Sequence, residues 1–355
     1  MTVPTTDSAM YRTMHRQPAD LRRLLTTGWE PAREAADRVS AARRVFLTGI
    51  GTSYHAALVG SWLMRAAGAD ARAASSFDLA LYADTFLIRP DDAVIVMAHT
   101  GVKSFSAATM TRASAAGATV VSIGSLTAEH RGSQLVLRTV ERERSAAFTA
   151  SHLAAMTVLA QIATVLGERR RAPGVAGFRE ALDRLPDQVA DVLARQDEVL
   201  PVAQDAVSRR VYAAGAGPNE ATATEAVIKV REAAQGHIDA LAIEQFLHGP
   251  IVAVNRGDLA VLVNVPGAAA TRVAEIAVVL DAMDASLWLV GEGVPAVPRA
   301  RVFGLPPLPE LLSPLIAVVP MQLLAYEMAV LKGLNPDTFR RDDPTYAAAF
   351  GLITL

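Results

Sequence analysis

The 355-residue chain contains no cysteine. That excludes disulfides, a thiol nucleophile and a cysteine-ligated metal. It also has little net charge: 34 Lys and Arg stand against 36 Asp and Glu, which gives −2. A general nucleic-acid binder needs a basic excess, so that class is excluded too. The first residues, MTVPTTDSAMYRTMHRQ, lack the apolar core of a secretory leader. One long apolar run exists, LSPLIAVVPMQLLAYEMAVL at 312–331. Pro314, Pro320, Gln322 and Glu327 lie inside it, so it reads as a buried helix and not a membrane span. A soluble cytoplasmic protein is expected, with no membrane and no nucleic acid among its partners. Apolar residues are plentiful at 51%, enough for one large or two medium domains.

The chain repeats itself. VFLTGIGTSYHAA from Val45 is echoed by VYAAGAGPNEATA from Val211. Gly49 and Gly215, Gly51 and Gly217, and Gly101 and Gly267 each stand 166 residues apart. A later pair, Gly124 and Gly291, is shifted by one. Within each copy, short apolar β-branched runs alternate with helical patterns. The first copy predicts strands at 44–48, 70–75, 93–97, 119–123 and 135–139, with helices near 53–67, 79–85, 104–116 and 146–167. The second predicts strands near 210–214, 238–241, 259–265 and 286–290. Strands this apolar are covered on both faces, as in a parallel sheet flanked by helices. The fold class is α/β, with two tandem flavodoxin-like doubly wound units. Expected boundaries are bracing helices at 1–40, a first unit at 41–170, a second at 180–334 and a tail at 335–355 that packs over a site. A linker is expected at 168–178, GERRRAPGVAG.

Glu225, Lys229 and Glu232 recur at i, i+4 and i+7, one stripe of a helix whose other residues are mostly apolar or small. His248 follows beside a Gly-Pro turn. Two carboxylates, an ammonium and an imidazole together make a proton-moving site. A solvated helix with i, i+4 ion pairs and an unrelated histidine fits the same spacing.

Gly49-Ile50-Gly51-Thr52-Ser53 follows an apolar strand and opens a helix. Such a turn suits anions, because glycines allow tight backbone and the helix N-terminus attracts negative charge. On its own it reads equally as a structural strand-to-helix turn. It is not a full dinucleotide fingerprint. The next such turn is Ala98-His99-Thr100-Gly101-Val102-Lys103-Ser104. A lysine at a helix start opposes the macrodipole unless it meets an anion, which favours a bound phosphate. His99 alone could also be a capping or core histidine. The equivalent turns of the second copy, around Gly217 and Gly267, lack the hydroxyls.

The stretch EAVIKVREAAQGHIDALAIEQFLHGP at 225–250 resembles the segment of sugar isomerase (SIS) domain proteins that reads E-G-A-L-K-L-K-E…H-G-P. That is the pattern of the isomerase half of glucosamine-6-phosphate synthase. Fructosamine-phosphate deglycases and aminosugar-phosphate deaminases share the architecture. The likeness covers nearly the whole chain, from Gln17-Pro18 to Gln322-Leu323-Leu324-Ala325-Tyr326. It implies an enzyme acting on a hexose 6-phosphate or its amino derivative. His248 would assist ring opening, and Glu232 would shuttle a proton between C1 and C2. Lys229 would stabilise the oxyanion, and Glu225 would orient Lys229 or bind a substrate amine. Gly51, Thr52 and Ser53, with His99, Thr100, Gly101, Lys103 and Ser104, would hold the phosphate. Ser145, Phe148 and Thr149 resemble a further family segment; Ser145 and Glu143 could face the pocket or belong to a plain helix start. No metal or organic cofactor is implied. The partners are a sugar phosphate and a second copy, with active sites shared across a homodimer.

Three departures narrow the expectation. The sequence has no glutaminase domain and no cysteine, which excludes the full synthase reaction for this chain alone. The family's Schiff-base lysine aligns with Pro344. The phosphate turn has Ala98, His99 and Lys103 where the synthase has Ser, Gln and Thr. Isomerase, deaminase and deglycase remain; the rival class is a catalytically silent sugar-phosphate sensor.

Overall fold

Every apolar run expected to form a strand does so, and in parallel pairing. The chain is described here by a computed structural model covering residues 7–293 and 297–353. The first six residues of the expected N-terminal brace, three residues of the second repeat and the last two of the tail lie outside that range.

The first sheet contains β1 (Val45–Gly49), β2 (Ala71–Ser75), β3 (Ala93–Met97), β4 (Thr119–Gly124) and β5 (Leu135–Arg138). Their order is β2-β1-β3-β4-β5, all parallel. That is the flavodoxin order, whose switch point lies between β1 and β3. Ligands of such folds bind beyond the carboxyl ends of the strands at that point. β1 and β3 are buried along their whole length, as strands covered on both faces must be. The helices of this unit are the greater part of α1 (Ala9–Thr27), α2 (Trp29–Val39), α3 (Thr52–Ala66), α4 (Ser76–Leu81), α5 (Ser104–Ala115), α6 (Ala150–Arg170) and the start of α7 (Phe178–Ala194).

The second unit takes the start of α1 and, further along the chain, the rest of α7 and α8 (Leu200–Ala206). Its sheet contains β6 (Val211–Gly215), β7 (Ile238–Ala242), β8 (Leu259–Asn264), β9 (Ser286–Gly291) and β10 (Ala300–Gly304). The order β10-β9-β8-β6-β7 repeats the first sheet strand for strand. Its helices include α9 (Glu220–Ala234), α10 (Ile243–Leu247), α11 (Ala270–Ala282) and α12 (Pro314–Leu331); α13 (Pro344–Phe350) follows in the tail. The repeat extends to packing. A Cβ at Gly49 would lie 2.6 Å from the Ser53 backbone carbon, and one at Gly215 would collide with the Asn219 carbonyl. In both copies only glycine lets the first turn of the following helix come so close to the strand end.

The expected boundaries need revision. Among the described residues, 16–143, 150–186 and 348–353 form one compact unit; 7–15, 144–149, 187–293 and 297–347 form the other. The start of α1 thus belongs with the second sheet instead of bracing the first. Its cause is a long-range cap: the Asp337 carboxylate accepts from the amides of Ala9 at 2.6 Å and Met10 at 2.9 Å. A carboxylate there satisfies two amides that the helix itself cannot bond. The expected linker 168–178 instead continues α6 to Arg170 before a short 3-10 turn at Pro173–Val175. β10 was not expected: it is an edge strand with a half-exposed sequence, ARVFG. The tail forms α13, none of whose residues is buried. α6 and α12 are long and apolar enough to cross a membrane, but both are buried in the protein, as core helices are.

Candidate functional site

α9 follows β6 and packs most extensively on α12. This packing removes its stripe from water. Glu225 and Lys229 are 0% exposed, and the Glu232 side chain is 20% exposed. Lys229 Nζ donates to Glu232 Oε2 at 2.6 Å and lies 3.5 Å from Glu225 Oε1. The solvated-helix reading is therefore wrong for this stripe. An ammonium buried between two carboxylates exists only because each charge compensates the other's desolvation. Glu232 is the member with access to solvent. The end of α9 is fixed as well: Gln235 adopts a left-handed conformation, and Lys332 Nζ donates to the carbonyls of Ala234 and Gln235.

His248 is not brought to this cluster. Its side chain is 67% exposed, and its ring Nδ1 lies 2.9 Å from the Glu244 carbonyl and 3.5 Å from the Glu244 carboxylate. Glu244 itself is held by Arg272 at 2.8 Å. The Gly249 turn beyond, at φ 123°, directs the chain into Pro250–Ala253, where Val252 is exposed.

In the first sheet, the two expected anion turns follow β1 and β3, the strands flanking the switch point. Gly51 (φ 59°) precedes α3, with Thr52 and Ser53 as its first residues, both half-buried. Gly101 (φ 73°) lies in the turn before α5, which Ser104 opens. Thr100 is half-buried, while Lys103 and Ser104 are exposed at the N-terminus of α5. The geometry thus places Gly51, Thr52, Ser53, Thr100, Gly101, Lys103 and Ser104 around two neighbouring helix N-termini.

His99 differs from expectation. It is buried, and its Nε2 accepts from the Glu143 amide at 3.2 Å. Burial, with Arg142 and Arg16 nearby, lowers its pKa to about 4. The ring is neutral at pH 7 with its proton on Nδ1, so it contributes a neutral donor and not a cation. Glu143 does not line a pocket through its carboxylate alone, since Oε1 accepts from the Ser151 amide at 2.7 Å and caps α6. Ser145 is buried, its Oγ accepting from the Ala147 amide at 3.2 Å. Pro344, at the position aligned with the Schiff-base lysine, opens α13.

The second sheet's equivalent turn is already occupied. The Ala268 amide donates to Glu310 Oε2 at 3.2 Å, and a Cβ on Gly267 would collide with that carboxylate. Sequence reasoning missed Glu310, and also His130, whose ring packs beneath the turn after β3. Neither lies in one of the short motifs that the sequence singles out.

Residues 39–165 match the SIS domain family. An isomerizing glutamine–fructose-6-phosphate aminotransferase from Pyrococcus horikoshii is 28% identical over 334 residues, spanning 92% of this chain and 56% of its own length. The Symbiobacterium thermophilum counterpart is 30% identical over 353 residues, with 92% and 57% covered. The chain therefore spans little more than half the length of the curated relatives it matches. The C-terminal domain of glucosamine-fructose-6-phosphate aminotransferase from Francisella tularensis superposes with a TM-score of 0.86 at 16% identity, covering 94% of this chain and 100% of that one. Tagatose-6-phosphate ketose/aldose isomerase from Escherichia coli gives 0.78 at 18%, covering 96% and 97%. At these identities the likeness to solved structures is one of fold. The SIS match lies on the first sheet's part of the chain, and in fold the two sheets match two tandem SIS units. By sequence it is similar to the isomerase portion of the aminotransferases.

Proposed function

We propose that this chain is a phosphosugar isomerase-type enzyme acting on a hexose 6-phosphate or its amino derivative. The observation that carries the proposal is the buried Glu225–Lys229–Glu232 cluster, with only Glu232 reaching solvent. A structural ion pair gains nothing from such burial. A proton-transfer site gains a carboxylate whose charge is balanced in a low-dielectric setting. In the proposed step, Glu232 takes the proton from C2 of the open-chain aldose. The electron pair enters the C1–C2 bond, and the carbonyl oxygen becomes an enediolate oxygen whose charge Lys229 offsets. The O2 hydroxyl proton passes to O1, and return of the proton to C1 then gives the ketose with its carbonyl at C2. With an amine at C2 of the aldose the same proton shift passes through an enolamine to a C2 imine, which water hydrolyses to the ketose and ammonia. With an amine at C1 of the ketose the reverse shift gives a C1 imine, which water hydrolyses to the aldose and the free amine. Glu225 holds Lys229 in place, and His248 assists ring opening.

The phosphate falls to the turns after β1 and β3, through Thr52, Ser53, Thr100, Lys103 and Ser104 with the neutral His99. The second sheet's counterpart is taken by the Glu310 carboxylate, which supports one phosphate per chain. The protein names of the relatives support a hexose phosphate: fructose 6-phosphate, tagatose 6-phosphate and, for a Thermotoga maritima deaminase of TM-score 0.74, glucosamine 6-phosphate.

One observation favours a second reading, a sugar-phosphate-binding protein without turnover: His248 is exposed and bonded to Glu244, apart from the cluster. Solvent-proton exchange into a panel of hexose phosphates separates the two. The enzyme reading expects exchange in the parent and a loss of at least roughly 100-fold in Glu232→Gln. Binding of a hexose phosphate with no exchange in the parent supports the second reading.

A further inference from the structure

We infer that His130 is a positioning residue for the turn after β3, the one assigned above to phosphate; the inference rests on that assignment. His130 is 8% exposed in the loop between β4 and β5. Its Nε2 lies 2.8 Å from the Ala98 carbonyl oxygen. A carbonyl can only accept, so Nε2 carries the proton. Burial lowers the His130 pKa, which keeps the ring neutral. Nδ1 is then an acceptor, and Ser122 Oγ at 2.7 Å donates to it. Ser133 Oγ lies 2.8 Å from Ser122 Oγ as a second acceptor, its own hydrogen going to the Leu135 carbonyl at 2.8 Å, so the Ser122 hydroxyl is held between His130 and Ser133. The result is a connected set of buried polar groups, Ser133, Ser122 and His130, that ends on the Ala98 carbonyl.

That carbonyl is the hinge of the turn. It also accepts from the Gly101 amide at 3.0 Å, the bond that closes Ala98–Gly101. Glycines border the ring at both ends. A Cβ at Gly101 would lie 3.1 Å from His130 Cδ2 and 2.7 Å from the Glu129 carbonyl; one at Gly124 would lie 2.5 Å from His130 Cε1. The ring therefore has no room to turn, and the Ala98–His99 peptide plane is fixed by it. Fixing that plane sets the direction of the following amides, those of Thr100 to Lys103, before any anion arrives.

The test measures inorganic phosphate affinity and hexose 6-phosphate KM and kcat in His130→Leu, His130→Gln and Ser122→Ala. Leu removes the donor to Ala98. Gln retains an amide N–H near the place of Nε2. The expected outcome for Leu is about tenfold weaker phosphate binding and a KM raised in parallel, the scale of one buried hydrogen bond, with kcat within about twofold. Gln restores most of the affinity, and Ser122→Ala falls between. A matched control, Ile162→Ala on α6, lowers stability without moving KM. Should Leu fail to fold, Gln and Ser122→Ala decide: phosphate affinity equal to the parent in Ser122→Ala overturns the inference. Unchanged affinity in a folded Leu variant overturns it directly. Thr100→Val with Lys103→Ala, measured alongside, separates the two levels. If that pair weakens phosphate binding and the His130 variants do not, only the positioning role falls. If the pair changes nothing, the phosphate turn and the positioning role fall together.

Discussion

Lys229 Nζ lies 2.6 Å from Glu232 Oε2 with the lysine side chain wholly out of solvent and the glutamate one fifth exposed. The pair is thus asymmetric. The cation is fixed, and the carboxylate has a route to a ligand. Lys229→Met keeps the volume and removes the ammonium between Glu225 and Glu232. We expect it to cost about 3–5 kcal/mol of folding stability, because both carboxylates lose the buried ammonium that offsets their charge. Urea denaturation at neutral pH measures this. A cost below about 1 kcal/mol would mean that the cluster is far better hydrated than its burial indicates.

His99 sets an acid limit on stability. The unfolded chain binds a proton at this residue near pH 6.5, while the folded chain does so only near pH 4. Between those values the unfolded state holds more protons, so stability falls as pH falls through the window. The full loss is on the order of 3 kcal/mol. His130, also lowered by burial, acts in the same direction. His99→Gln should flatten thermal midpoints between pH 6.5 and 4 relative to the parent. Parallel curves for the two proteins would contradict a neutral, buried His99.

The phosphate turn is testable without knowing the sugar. Thr100→Val with Lys103→Ala removes a hydroxyl and a cation at the start of α5 and touches no core residue. The thermal midpoint without ligand should stay within about 2 °C of the parent, since Lys103 is exposed, Thr100 is only half-buried and valine keeps its shape. The upward shift given by a hexose 6-phosphate should shrink to less than about half, as binding stabilises only in proportion to affinity. Equal shifts in both proteins would remove phosphate from this turn.

Much of this was legible in the sequence for a simple reason. Parallel strands covered on both faces must be apolar throughout, so VFLTG, AVIVM, VYAAG and LAVLVN stand out, and the repeat spacing aligns them. β10 escaped because an edge strand needs no such run. The stripe of α9 was visible as spacing, but its burial depends on α12, which lies more than eighty residues further on. Asp337 capping α1 and Glu310 at the Gly267 turn escaped because both are made by packing between distant segments, with no local pattern to mark them. The exposure of His248 was not legible at all, since a Gly-Pro turn fixes where the chain bends and not where the imidazole ends.

That exposure motivates the last prediction. His248 makes its polar contacts with Glu244, on its own helix, and none with Glu225, Lys229 or Glu232. If the ring-opening role belongs to it, the group it serves belongs to a second copy of the chain. Active sites would then be shared across a dimer, each taking Glu232 from one protomer and His248 from its partner. Glu232→Gln and His248→Ala should each be inactive alone. Mixed in equal amounts and allowed to exchange, half the dimers become hybrids. Each hybrid has one site with both groups mutated and one with both intact. About a quarter of the parental activity should therefore return. Native mass spectrometry confirms that hybrids form. Hybrids without activity would place both groups in one protomer and require the 243–253 segment to move before catalysis.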